Sequence, residues 1–197
     1  GGENLVFGKD HILNEKELKG RIGVVFDENH FPDIFTPMEI GRCMSGIYPI
    51  WEWDAYRRFL EKFDLPNDKK IKDYSKGMKV KLAFAVALSH KAELLILDEA
   101  TSGLDPVIRD DVLDLLIDFV QDENHSVLVS SHITSDLEKA ADYITFLHKG
   151  KVVFSYEKDD LVDHYGVVSC GNAVFDTLDQ TDVIAYCRED YQYKVLV

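Results

Sequence analysis

The side chains best placed to do chemistry lie between Glu93 and Pro106. Four apolar residues, Leu94 to Leu97, run straight into two adjacent carboxylates, Asp98 and Glu99. Such a run reads as a strand buried on both faces, as in a parallel sheet. The acids then stand at its carboxyl end, where open α/β sheets place their ligand crevice. One acid can hold a divalent cation through its water shell while the other polarises an attacking water, the division of labour of phosphoryl transfer. An acidic pair can also simply cap a following helix. The Ser102-Gly103-Leu104-Asp105-Pro106 turn that comes next favours the chemical reading.

A second apolar strand, Val127 to Val129, ends in Ser130-Ser131-His132. A histidine there can donate a hydrogen bond to a phosphate oxygen and hold Glu99 in orientation. Ser75-Lys76-Gly77 opens a further helix. Ser75 suits an N-cap, and a helix N-terminus offers free N–H groups to an anion, with Gly77 letting a phosphate approach the backbone. Lys76 either adds positive charge near the phosphates or faces solvent. Asp27 follows the apolar run Ile22 to Phe26 and reads equally well as a turn residue or as a carboxylate that senses a cation.

These residues need strands and helices to hold them. Asn4 to Phe7 and Arg21 to Phe26 are expected strands, with a polar segment around Asn14-Glu15-Lys16 between them. The second ends at Asp27-Glu28-Asn29-His30. Helical periodicity runs from Met38 to about Phe63 and breaks at Leu65-Pro66-Asn67-Asp68. The basic stretch Lys69 to Lys72 leads to a helix at about Gly77 to His90, apolar nearly all round and so buried. Val107 to about Gln121 is amphipathic, and the order strand, helix, strand predicts a βαβ unit with parallel strands. Ser135 to Asp142 is a short helix, and Ile144–Leu147 with Val152–Ser155 a hairpin. The polar tail from Asp159 carries no chemical motif.

Bulk properties narrow the partners. The chain's 197 residues, 46% hydrophobic, suffice for one α/β domain. A formal charge of −14 disfavours nucleic acid, whose binding leans on clustered Lys and Arg. Cys43, Cys170 and Cys187, odd in number and widely spaced, fit a reducing cytosol better than a disulfide framework or a zinc site. No stretch approaches the roughly 20 apolar residues of a membrane span.

The series Asp98-Glu99, Ser102 to Pro106 and Ser130-Ser131-His132 resembles the Walker B, D-loop and switch-histidine motifs of ATP-binding-cassette (ABC) ATPases. Ser75-Lys76-Gly77-Met78 resembles their Leu-Ser-Gly-Gly-Gln signature with departures at Tyr74, Lys76 and Met78, in a form similar to that of ABC-2-type exporters. The resemblance spans about Val6 to Phe154 and is strongest from Ser75 to His132. It implies a P-loop NTPase-like sheet flanked by helices, divided as 1–36 (strands and Q-loop region), 37–90 (inserted helical subdomain ending in the signature helix), 91–158 (Walker B, D-loop and switch-histidine core) and 159–197 (C-terminal extension). It implies Mg²⁺ at Asp98, water activation by Glu99, γ-phosphate contact by His132, and nucleotide contacts by Ser75, Gly77 and Asp105, the last across a homo- or heterodimer. Asp27 falls where the family carries the Q-loop glutamine, whose donor ability a carboxylate lacks. Trp51 and Trp53 belong to the segment that in this family receives the membrane subunit's coupling helix. The implied activity is ATP-driven export through an integral membrane partner, at the cytoplasmic face of the membrane.

One motif is missing. No segment matches the phosphate cradle Gly-x-x-x-x-Gly-Lys-Ser/Thr. The P-loop strand and helix are therefore expected to lie outside this chain, which begins at Gly1-Gly2 and stops in the apolar Val195-Leu196-Val197 as a fragment would. By itself it is expected neither to bind ATP tightly nor to hydrolyse it. Two alternatives stay open: a soluble ABC ATPase acting on DNA or ribosomes, which the acidity and the lack of a coiled coil disfavour, and a non-catalytic cassette fragment serving as an interaction module.

Overall fold

The structure, a computed structural model, describes residues 4–28, 31–175, 177–179, 183–189 and 192–196. Asn29 and His30 of the expected loop after Phe26, like Gly1, Gly2 and Val197, lie outside them. The chain forms two compact units, Gly1–Ala140 and Ala141–Val197.

In the first unit, β1 (Leu5–Val6) pairs antiparallel with β2 (Lys9–Asp10), so the expected strand at Asn4 to Phe7 is half of a small hairpin. The polar segment after it forms α1 (Glu15–Lys19). β3 (Ile22–Phe26) follows, then α2 (Pro37–Ile47) and α3 (Trp53–Lys62). The single helical run expected from Met38 to Phe63 is thus two helices. Pro49 between them removes a backbone donor and disfavours helix in the residue before it. At the start of α2, Thr36 and Glu39 form a reciprocal capping box ahead of Pro37 at the first helical position.

A 3₁₀ turn at Ile71–Asp73 leads into α4 (Lys76–Ala87), then β4 (Leu94–Asp98), α5 (Pro106–Phe119), β5 (Ser126–Ser130) and α6 (Thr134–Ala140). The strands form a parallel sheet in the order β3-β4-β5, with Phe26, Asp98 and Ser130 in register at its carboxyl edge. The expected βαβ unit is present, and that register is what gathers the chemistry.

Helix α4 serves two apolar clusters, which explains its all-round hydrophobicity. Val80, Phe84 and Ala87 pack with Val25, Leu95 and Leu97 of the sheet and Val112, Leu115 and Leu116 of α5. Leu82, Ala85 and Val86 pack with Ile40, Tyr56, Leu60 and Ile71. Both α4 and α5 therefore lie on one side of the sheet, and the expectation of a strand buried on both faces is met on one side only. Leu95 and Leu97 are buried, whereas Leu94 and Ile96 are partly so. On the flanking strands Val24 and Leu128 are 40% and 62% exposed. Side chains alternate across a strand, so helices on one side bury every second residue.

In the second unit β6 (Tyr143–His148) and β7 (Lys151–Glu157) form the expected hairpin. Lys149 and Gly150 both take positive φ, 47° and 74°, the pattern of a tight two-residue turn. The polar tail is structured: α7 (Lys158–His164), β8 (Val167–Cys170), α8 (Asn172–Phe175), β9 (Ala185–Glu189) and β10 (Gln192–Leu196), with an antiparallel sheet ordered β8-β10-β9. Among the described residues no helix is long and apolar enough to cross a membrane.

Candidate functional site

The carboxyl edge of the parallel sheet carries the acidic pair. Asp98 ends β4, and its Oδ1 accepts a 2.6 Å hydrogen bond from the Ser130 hydroxyl on the neighbouring strand. Glu99 turns out of the strand with φ 51°, left-handed backbone that costs a non-glycine residue about 1–2 kcal/mol. Its N–H is held by Ser130 twice, at 3.1 Å from the carbonyl and 3.2 Å from Oγ. This anchoring turns the Glu99 side chain toward the end of β5. There His132 Nδ1 lies 2.5 Å from Glu99 Oε2. An ionised carboxylate only accepts, so a hydrogen bond here takes its proton from Nδ1.

The Ser130 hydroxyl thus joins Asp98 to the Glu99 backbone, and Glu99 in turn joins His132, 34 positions from Asp98. Ser130 is the residue the sequence reading passed over. It served only as context for His132, although its register with Asp98 follows from the βαβ pairing.

Asp27 joins the same edge: its N–H donates to the Asp98 carbonyl at 3.0 Å. Its carboxylate is not open to solvent alone but pairs with the Lys76 ammonium. Lys76 is therefore solvent-exposed and at the same time held in an ion pair. Ser75 caps α4, its Oγ accepting from Met78 N at 3.2 Å. Asp105 caps α5, its Oδ1 accepting from Ile108 N at 3.1 Å, with Pro106 at the first helical position.

Gly77 is buried, and a Cβ there would lie 2.4 Å from Ile108 Cδ1. Its missing side chain makes room for α5. That contact is a packing reason for the glycine. The N-termini of α4 and α5 consequently sit side by side. Arg109 reinforces the second, its Nη2 donating to the Leu104 carbonyl at 3.2 Å.

Seven residues were singled out in sequence. Asp98, Glu99 and His132 converge directly; Asp27 adjoins them through backbone; Ser75, Gly77 and Asp105 shape the helix ends near Lys76. Among the described residues no three His, Cys, Asp or Glu side chains gather to hold a metal ion. A single carboxylate beside a hydroxyl, all hard oxygen donors, nevertheless suits Mg²⁺, which keeps much of its water and takes one or two carboxylates plus substrate phosphates. His90 takes no part: it is fully buried, and its Nδ1 and Nε2 lie 3.2 and 3.1 Å from the Val86 and Ile22 carbonyls.

Comparison with known proteins fits this geometry. The bacitracin transport ATP-binding protein BcrA of Bacillus licheniformis is 33% identical over 162 residues, 81% of this chain and 53% of that protein. The ABC transporter ATP-binding protein YtrB of Bacillus subtilis is 28% identical over 161 residues, 82% of this chain and 55% of its own length. The chain thus spans about half the length of the curated relatives it matches. Among solved structures, a dimeric post-hydrolysis ATP-binding cassette bound to ADP and Pi shares the fold. Its TM-score is 0.68 at 19% identity, covering 80% of this chain and 73% of that one. A sequence model described as ABC transporter matches residues 2–102, half of the chain, and on that match the chain belongs to the ABC transporter family.

Proposed function

We propose that this chain supplies the water-activating half of an ATPase site that powers export through an integral membrane partner. The observation that carries the reading is the 2.5 Å contact between His132 and Glu99, set beside Asp98 at the carboxyl edge of a parallel sheet. BcrA, by its name a bacitracin transport ATP-binding protein, supports transport as the work that the site powers.

The residues divide the work. One Glu99 oxygen is engaged by His132 Nδ1–H, and the other accepts a proton from the attacking water. His132 donates to a γ-phosphate oxygen from Nε2. With Nδ1 already protonated, that donation requires the imidazolium, because the neutral ring has one N–H only. Asp98 and the Ser130 hydroxyl would hold Mg²⁺, which when bound neutralises phosphate charge. Ser75 and Asp105 act from the helix ends, Asp105 toward a second ATPase domain. Gly77 lets those ends approach, and Asp27 replaces the Q-loop glutamine as a carboxylate. The segments 1–36, 37–90, 91–158 and 159–197 are proposed as Q-loop region, helical subdomain, hydrolytic core and extension. The phosphate cradle comes from residues outside these 197, and the assembly sits at the cytoplasmic face of the membrane.

Steady-state phosphate release by the intact, P-loop-bearing protein tests this. Asp98→Asn is expected to lower the rate by about 10²-fold or more. A rate within twofold of wild type would remove Asp98 from the reaction.

A further inference from the structure

Lys76 stands where the family signature resembled above has glycine, and Asp27 where it has glutamine. These two departures from the expected pattern meet. The Lys76 ammonium pairs with the Asp27 carboxylate, bridging 49 positions of sequence between the start of α4 and the end of β3. A Cβ built on Gly103 would lie 3.2 Å from Lys76 Nζ, so the same ammonium sits directly beneath the turn that follows Glu99.

That turn is tightly specified. Glu99 enters it with φ 51° and Gly103 leaves it with φ 67°, both left-handed. Between them Ser102 N donates to the Glu99 carbonyl at 2.9 Å and Leu104 N to the Thr101 carbonyl at 3.3 Å. Any residue larger than glycine at 103 would meet both an unfavourable φ and the lysine. On the other side, Asp27 is fixed to the sheet by its N–H bond to the Asp98 carbonyl.

We propose that Lys76 is a positioning residue: held by Asp27, its ammonium supports the 100–104 turn and thereby sets where Glu99 stands. The acid in place of the Q-loop glutamine and the lysine within the signature are then two halves of one device within a single chain. Only its catalytic consequence rests on the proposed function.

The device is read without nucleotide, by amide hydrogen exchange on the 197-residue chain. Ser102 and Leu104 report on the turn, and Arg109, whose N–H bonds to the Asp105 carbonyl in α5, serves as the reference. An ion pair this exposed, at 45% and 39% for the two side chains, supports an effect of about two- to fivefold. Lys76→Met and Asp27→Asn should each speed exchange at Ser102 and Leu104 by that factor relative to Arg109. The double variant should add nothing further, and Lys76→Arg should stay near wild type. Unchanged exchange at both amides in Lys76→Met, a rise matched at Arg109, or additive effects in the double variant would each overturn the proposal. In the intact protein, Lys76→Met should lower kcat by a similar factor with KM for ATP within twofold, and a change confined to KM would also count against it. Absence of ATP turnover in the wild type would sink the proposed function and leave the exchange result standing.

Discussion

Glu99 holds a costly backbone conformation, and Ser130 is the reason it keeps it. One N–H donating to two oxygens of a single serine locks the residue as the chain leaves the sheet, and the side chain is delivered to His132. If His132 orients Glu99 and donates to phosphate as well, removing the ring costs both effects. His132→Ala in the intact protein is therefore expected to reduce kcat for ATP by about 10²-fold or more while changing ATP affinity little. A kcat within threefold of wild type would show that the short contact has no catalytic use. The acid pair and this histidine were legible in sequence because each follows an apolar run at a strand's end, and parallel strands align such ends. The Lys76–Asp27 pair was not. A bond between side chains 49 positions apart depends on where tertiary packing delivers the start of α4, and no local pattern encodes that.

At the scale of elements, the fold depends on α4, which inserts between two apolar clusters and is followed by the buried His90. Burial lowers the proton affinity of that imidazole, opposed by the Ile22 and Val86 carbonyls beside its nitrogens. Its folded pKa therefore lies below the unfolded value of about 6.5. Between the two the unfolded chain binds a proton that the folded chain does not, so stability falls as pH drops through that window. Denaturant midpoints measured from pH 7.5 to 5 should show this decline, and His90→Gln should flatten it; parallel slopes in the two proteins would contradict the assignment. Glu93 is separable from it. The Arg21 guanidinium, bonded to it at 2.5 and 2.7 Å, holds its carboxyl below the ordinary range, so its contribution is lost only at more acid pH.

The apolar and amphipathic elements of this unit could be read directly, α4, α5 and the parallel strands among them. The break at Tyr48–Glu52 was hidden by aromatic residues that keep helical spacing across it, although Pro49 was there to mark it. Burial of β4 on both faces was over-read, since an unbroken apolar run does not reveal on which side the helices pack. The sheet of the second unit rests in part on pairing between the distant strands β8 and β10 in a polar segment, which leaves little periodicity to follow.

For the molecule as a whole, the sequence has an acidic pair, a histidine beside it and capped helix ends but no Gly-x-x-x-x-Gly-Lys-Ser/Thr cradle. Calorimetric titration of the 197-residue chain with Mg-ATP should accordingly show no low-micromolar binding, and an affinity in that range would require a cradle of another kind. The net charge of −14 adds general repulsion toward a triphosphate, which a P-loop lysine would help to offset. The account's central claim is that Glu99, oriented by His132 next to Asp98, polarises the hydrolytic water. It is tested most directly by incubating the intact Glu99→Gln protein with Mg-ATP and following its size and its bound nucleotide. The account predicts a dimer that retains unhydrolysed ATP. Turnover equal to wild type, with ADP released and no lasting dimer, would contradict it.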